Sequence, residues 1–150
     1  HTFGKTLGCH GAVVVGSIAL RDYLINFARP FIYTTALPLY SVLTTRAAYR
    51  LLPQLNKERE RLFRLVKLFR EGFRAAARLL PAAGPIQAVL IPGKAEAVKA
   101  AERIQRAGYD VRPILHPTVP EGSERLRICL HTFNTEKEVT GLLNVLNALK

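Results

Sequence analysis

After Gly84-Pro85 the chain changes rhythm, and that change restricts its fold more than any other feature. Ile86 to Ile91 is a short apolar run of strand length. Lys94 to Ala107 carries apolar residues at helical intervals, and Gly108 follows as a helix stop. Asp110 to Leu115 is the next strand candidate, and Pro117 to Gly122 is a loop marked by prolines and a glycine. Arg125 to Thr132 alternates as a half-buried strand does, and Thr135 to Leu149 has helical spacing. The order β-α-β-β-α predicts a small α+β domain over residues 81–150, with its helices on one face of a sheet.

Upstream, Gly11 to Ser17 is β-branched and bounded by glycines, which predicts a buried strand. Ile18 to Phe27 has helical spacing and is ended by Arg29-Pro30. Leu37 to Leu52 predicts a second helix, interrupted by Pro53. Asn56 is a candidate N-cap for a long amphipathic helix reaching about Leu80. Residues 1–55 are therefore expected to finish a larger domain, with 56–80 as a connecting helix. The sequence contains no methionine and opens on His1 inside a motif, so a piece of a longer chain is expected.

The formal charge of +11 raises the question of a nucleic-acid partner, but most of the excess sits between residues 41 and 80. There Lys57, Arg61, Arg64, Lys67, Arg74 and Arg78 recur opposite Leu62, Leu65, Phe69, Phe73 and Ala76. This is the pattern of a solvated basic helix face, and no recognition module accompanies it. Neither nucleic acid nor membrane is expected as a partner. The most apolar run, Gly11 to Leu20, is about half the ~20 residues a spanning helix needs. Cys9 and Cys129 form no C-x-x-C pair, which indicates neither a disulfide scaffold nor a metal site, and a reducing cytoplasmic location is expected.

Gly4-Lys5-Thr6 has the look of the end of a phosphate-binding P-loop. Such a loop must run into a helix whose amino terminus holds the phosphates. Here Gly8, Cys9, His10 and Gly11 follow, and then a strand candidate, so the context excludes it. A lysine among glycines also suits imine formation with an aldehyde cofactor, since glycines allow close backbone approach. Thr2, three residues earlier, offers a hydroxyl to a phosphate. Taken alone, this pattern is equally that of a surface lysine.

Four further blocks weigh on that choice. The segment Thr2-Phe3-Gly4-Lys5-Thr6-Leu7-Gly8 resembles the lysine motif of the α-oxoamine synthases, pyridoxal-phosphate enzymes of the aspartate-aminotransferase fold. Arg29-Pro30-Phe31-Ile32-Tyr33-Thr34-Thr35-Ala36-Leu37-Pro38 is similar to the family's next block. Gly84-Pro85-Ile86-Gln87, then Pro117-Thr118-Val119-Pro120-Glu121-Gly122, then Arg125-Leu126-Arg127-Ile128 continue the likeness in order. The resemblance implies an α/β fold made of the end of a large cofactor-binding domain (1–55) followed by the small carboxy-terminal domain. It also implies pyridoxal 5'-phosphate as cofactor, no metal, and a homodimer with shared active sites.

By position, the resemblance makes Lys5 the cofactor-bearing catalytic lysine and Thr2 a cofactor contact. Tyr33 and Thr34 match a pair that reaches the phosphate in the neighbouring subunit's site. Thr118 matches a substrate-binding hydroxyl, and Arg127 matches the arginine that grips the amino-acid carboxylate. Without the family match, Arg127 is as readily a surface strand residue and Thr118 a turn residue. The reaction implied is a decarboxylative condensation of an amino acid with an acyl-CoA. The P-T-V-P block is most like the branch that joins L-alanine to pimeloyl-CoA for biotin; a glycine-using acyltransferase, or an inactive basic binding fragment, are the alternatives. Departures stand at Thr6, Ala12, Leu39, Leu115-His116 and His131-Thr132-Phe133-Asn134. The residues that stack on the cofactor ring precede the position of His1 in the family, so the 150-residue chain alone is expected to be inactive.

Overall fold

A computed structural model describes residues 1–149, which divide after Asn56 into two compact units. In the first, the elements are α1 (Ile18–Phe27), α2 (Arg29–Ile32), α3 (Leu39–Leu51) and a 3-10 turn, Leu52–Gln54. Ser17 caps α1 by accepting from the Leu20 N–H at 3.2 Å. Ala28 separates α1 from α2, so Arg29-Pro30 opens a new turn, where proline's missing N–H does no harm. The expected strand over Gly11–Ser17 is absent. Its only ladder contact is an isolated bridge between Thr2 and Ala12, and Val14 and Val15 are exposed. A β-branched run becomes a strand only where another strand pairs with it, and among the described residues none does.

The second unit begins with α4 (Asn56–Gly72), followed by β1 (Arg78–Leu79), β2 (Ile86–Leu90), α5 (Lys94–Arg106), β3 (Arg112–Ile114), β4 (Arg125–Cys129) and α6 (Glu136–Asn147). The sheet order is β1-β2-β4-β3, every pair antiparallel. β2 and β3 are thus parallel to each other and joined through α5, with β4 inserted into the gap between them. This is the expected β-α-β-β-α order with a two-residue edge strand added.

Strand alternation divides the sheet into two faces. Gln87 and Val89 of β2, with Leu126 and Ile128 of β4, are buried. They meet Leu65, Val66 and Phe69 of α4, Ala101 and Ile104 of α5, and Val139, Leu142, Leu143 and Leu146 of α6 in one core. All three helices cover that face. The opposite face carries Arg125, Arg127 and Cys129, and its arginines are free to reach solvent. Buried Gln87 is satisfied at both ends: its Oε1 accepts from Arg70 Nη1 at 2.7 Å, and its Nε2 donates to the Gly84 carbonyl at 2.6 Å.

The basic helix stops at Gly72, not at Leu80, and the cause is tertiary. Asn147 of α6 donates from Nδ2 to the Gly72 carbonyl at 3.0 Å and accepts the Arg74 N–H at 2.7 Å. Asn147 thereby serves the helix end that further turns would have satisfied. Gly72 is required for this approach, because a Cβ there would lie 2.6 Å from Leu143 Cδ1. The released residues then form the edge strand Arg78–Leu79. Lys57, Arg61, Arg64 and Lys67 are exposed while Leu65, Val66 and Phe69 are buried, as the amphipathic pattern predicts.

Two further contacts fix the unit. Thr135 and Glu138 form a reciprocal capping box at the start of α6. Glu124, just before β4, is buried, and its Oε2 accepts the Gly93 N–H at 3.0 Å. That bond first, and its own and the Gly122 backbone N–H next, hold the carboxyl below the ordinary range.

Leu126→Ala is expected to destabilise the chain by about 2–5 kcal/mol, from lost burial and the cavity left behind. Thr135→Ala should remove about 1 kcal/mol through the cap. Denaturant titrations measure both. For Glu124→Gln the sign follows from the lowered pKa: the ionised carboxylate's stabilisation is present above the unfolded value and lost as pH falls through the folded one. The variant should therefore melt lower than the parent near neutral pH, and the two melting curves should converge in acid.

Candidate active site

Lys5 lies in a loop closed by its own backbone. The Phe3 N–H donates to the Gly11 carbonyl at 2.9 Å, and the Cys9 N–H donates to the Phe3 carbonyl at 3.0 Å. Val13 N–H to His1 carbonyl, 2.8 Å, closes the stem. Inside it, the Gly8 N–H bonds to the Lys5 carbonyl at 2.9 Å, and Gly8 takes φ 61°, a conformation disfavoured for residues with a Cβ. Phe3 and Cys9 are buried at the loop's base, and the Phe3 ring meets Tyr49 edge-on at 6.1 Å. The side chains of Thr2 and Lys5 are directed outward and exposed.

This arrangement pairs a fixed backbone with a free amine. Lys5 makes no ion pair among the described residues, so its Nζ is available to a carbonyl partner. Those are the attributes an aldehyde cofactor requires of its lysine, and Thr2 adds a hydroxyl on the same short segment. Tyr33 ends α2, its N–H bonded to the Arg29 carbonyl at 3.0 Å, and its side chain is 79% exposed. Thr34 follows in an exposed, irregular segment. Both offer hydroxyls with no hydrogen-bond partner among the described residues.

Thr118 and Arg127 belong to the second unit. Thr118 sits in a turn, its N–H donating to the Leu115 carbonyl at 2.9 Å, after the cis peptide His116-Pro117. The turn is anchored downstream by buried Glu124 and by the Ile91 N–H bonded to the Glu124 carbonyl at 2.8 Å. Arg127 is the middle residue of β4, flanked by Ala88 of β2 and Arg112 of β3. Alternation aims it away from the core that Leu126 and Ile128 enter. A guanidinium so placed is suited to a planar carboxylate.

Sequence reasoning missed two residues of this region. Glu124 had no signal of its own, since nothing local distinguishes a buried carboxylate from a loop residue. Arg112 was part of a strand candidate, but its position beside Arg127 depends on register, which residues 110–115 do not encode alone. His131, one of the departures from the family motif, stacks on Phe133 at 4.8 Å and lies outside the strands. Cys9 and Cys129 are both free. Among the described residues there is no cluster able to hold a metal ion, and no helix long and apolar enough to cross a membrane.

The arrangement recurs in known proteins. The 8-amino-7-oxononanoate synthase of Cellvibrio japonicus is 42% identical over 146 residues, covering 97% of this chain and 37% of that protein. The enzyme of that name from Thioalkalivibrio sulfidiphilus is 42% identical over 147 residues, covering 97% and 38%. This chain thus spans a little over a third of the length of such curated relatives. Among solved structures, 8-amino-7-oxononanoate synthase from Francisella tularensis superposes with a TM-score of 0.82 at 28% identity, covering 97% of this chain and 43% of that one. Sphingomonas wittichii serine palmitoyltransferase gives 0.84 at 26% identity, covering 99% and 38%. The α/β architecture is therefore that of the fold-type-I pyridoxal-phosphate enzymes, the class expected from the motifs. With the family profile matching residues 1–146 as well, the chain belongs to the aminotransferase class I and II family.

Proposed function

We propose that this chain is the part of a pyridoxal-phosphate-dependent α-oxoamine synthase that carries its reactive lysine and its carboxylate-binding arginine. The activity is that of an 8-amino-7-oxononanoate synthase. The observation that carries this reading is 42% identity, over 97% of the chain, to synthases of that name. In the reaction, L-alanine loses its α-proton, its α-carbon bonds to the pimeloyl carbonyl carbon as coenzyme A leaves as the thiol, and the carboxylate then departs as carbon dioxide while a proton returns to the α-carbon. The ketone formed is an intermediate of biotin biosynthesis, and the setting is the cytoplasm.

Bound pyridoxal 5'-phosphate supplies an electron-withdrawing ring that absorbs the charge left on the substrate carbon. The residues of this chain do the rest. Lys5 would hold the cofactor through its amine and, when that amine is free, would take the substrate α-proton at its Nζ. Thr2 donates its hydroxyl to the cofactor. Arg127 orients the amino-acid carboxylate through paired N–H donors, and Thr118 offers a hydroxyl to the substrate. Tyr33 and Thr34 reach the cofactor phosphate in the second protomer of a homodimer, a role that agrees with their exposure. Residues 1–55 then complete the large cofactor-binding domain, and residues 81–150 form the small one.

In the assembled enzyme, Lys5→Ala should lower kcat by about 10²–10⁴-fold with L-alanine and pimeloyl-CoA. Arg127→Gln should instead act mainly on KM for L-alanine. L-alanine, and not glycine, should perturb the cofactor's absorbance spectrum. A Lys5→Ala enzyme that keeps its turnover would refute the reading, and a response to glycine alone would move it to the glycine-using acyltransferases.

A further inference from the structure

The open face of the second unit's sheet carries a charge arrangement that folding does not explain. Arg127 of β4 stands directly opposite Arg112 of β3. Directly opposed residues leave the same face of the sheet, with Cβ atoms about 4.5–5.5 Å apart, and like charges placed so destabilise it. Arg127 has no hydrogen-bond or ion-pair partner for its side chain among the described residues. On its other side lies Ala88, which leaves room and offers no charge.

The acidic contact nearby does not cancel the pair. Arg112 Nε lies 2.7 Å from Asp110 Oδ1 in an ion pair, with the two side chains 72% and 75% exposed. An ion pair so open to solvent is weak. The terminal nitrogens of Arg112, which carry four further N–H donors, make no hydrogen bond among the described residues. Asp110 therefore orients Arg112 and leaves its fork free. Arg125, on the same face, is occupied differently, its Nε donating to the Ser123 carbonyl at 2.9 Å.

Arg112 and Arg127 also line one cavity of about 690 Å³, with Tyr109, Phe133, His131 and Asn134. It opens where the sheet lacks a strand, because β3 pairs only with residues 125–127 and the rest of β4 has no neighbour on that side. A volume of this size suits a small organic ligand; Asp110 and Glu138 line it beside the two arginines.

We propose that Arg112 and Arg127 form a two-arginine subsite that holds a single carboxylate of a small-molecule substrate between them. A carboxylate has about four acceptor positions, enough for both forks. The ligand's identity rests on the function proposed for Arg127, which makes it the amino-acid substrate. Arg112 is the addition: a second binding residue that shares the carboxylate and offsets the repulsion along the strand pair.

The test is a titration of the ¹⁵N-labelled 150-residue chain with propionate, a carboxylate without amine or phosphate, read at the guanidinium Nε–H signals. The Arg112 and Arg127 signals should move together on one saturating curve, and sodium chloride at matched ionic strength should produce no such curve. Arg112→Gln should weaken binding about tenfold, and Arg112→Lys should recover only part, since lysine keeps charge but not the fork. Movement at Arg127 alone, or unchanged affinity in Arg112→Gln, overturns the shared subsite and leaves the role of Arg127 intact. Saturation at neither signal overturns the subsite as well, while the KM effect of Arg127→Gln in the assembled enzyme decides the proposed function separately. Should Arg112→Gln fail to fold, the two wild-type curves still decide.

Discussion

The insertion of β4 between β2 and β3 governs the second unit. It gives β4, like β2, a neighbour on each side, so its alternation is enforced by two hydrogen-bonded partners. Leu126 and Ile128 must then enter the core beneath the helices, and Arg127 must leave on the open face. A slip of one residue would turn two guanidiniums inward and expose two core side chains. The strand that completes the core is therefore the one that aims the arginine. The proposed carboxylate contact and folding stability share five residues, and the register that serves one fixes the other.

The first unit works on a different principle. Its lysine loop is pinned by four backbone hydrogen bonds among residues 1–13, a local constraint that needs little core. Its helices have almost no buried face within the described structure: α1 and α2 have no buried residue, and α3 buries only Ser41. Phe31, Leu39 and Tyr40 are all more than 60% exposed. Apolar surface of this extent favours association. The proposed homodimer, in which Tyr33 and Thr34 serve the partner's site, would supply such a surface at the residues concerned.

What was legible in the sequence follows from the range of the interactions involved. The helices over Ile18–Phe27 and Lys94–Arg106 were readable because amphipathic spacing and stop residues are local signals. So was α6, whose capping box lies within four consecutive residues, Thr135 to Glu138. The end of α4 was not, because it depends on Asn147, seventy-five residues away, and on Leu143 packing over Gly72. The strand expected at Gly11–Ser17 failed for the same reason in reverse, since its residues favour β structure but no pairing strand is present among those described. At the candidate site, Lys5 and Arg127 were singled out through motifs. Arg112 and Glu124 needed three dimensions, one through register and the other through a bond to Gly93.

The charge of the chain gains a physical account from this division. On α4 the exposed cations stand over a buried Leu65, Val66 and Phe69, and some are paired along the helix, as Lys67 is with Glu71 at 3.8 Å. Their long stems can cover apolar surface while their charges stay hydrated, which is an ordinary use of basic residues on an amphipathic helix. The arginines of the sheet face differ in kind. They project from short, rigid strands, their spacing is set by register, and the Arg127 side chain has no partner among the described residues. Cations on a flexible helix surface can relax away from one another, but opposed cations on paired strands cannot do so to the same degree. Of the chain's two concentrations of positive charge, the smaller is therefore the one that calls for an anionic ligand.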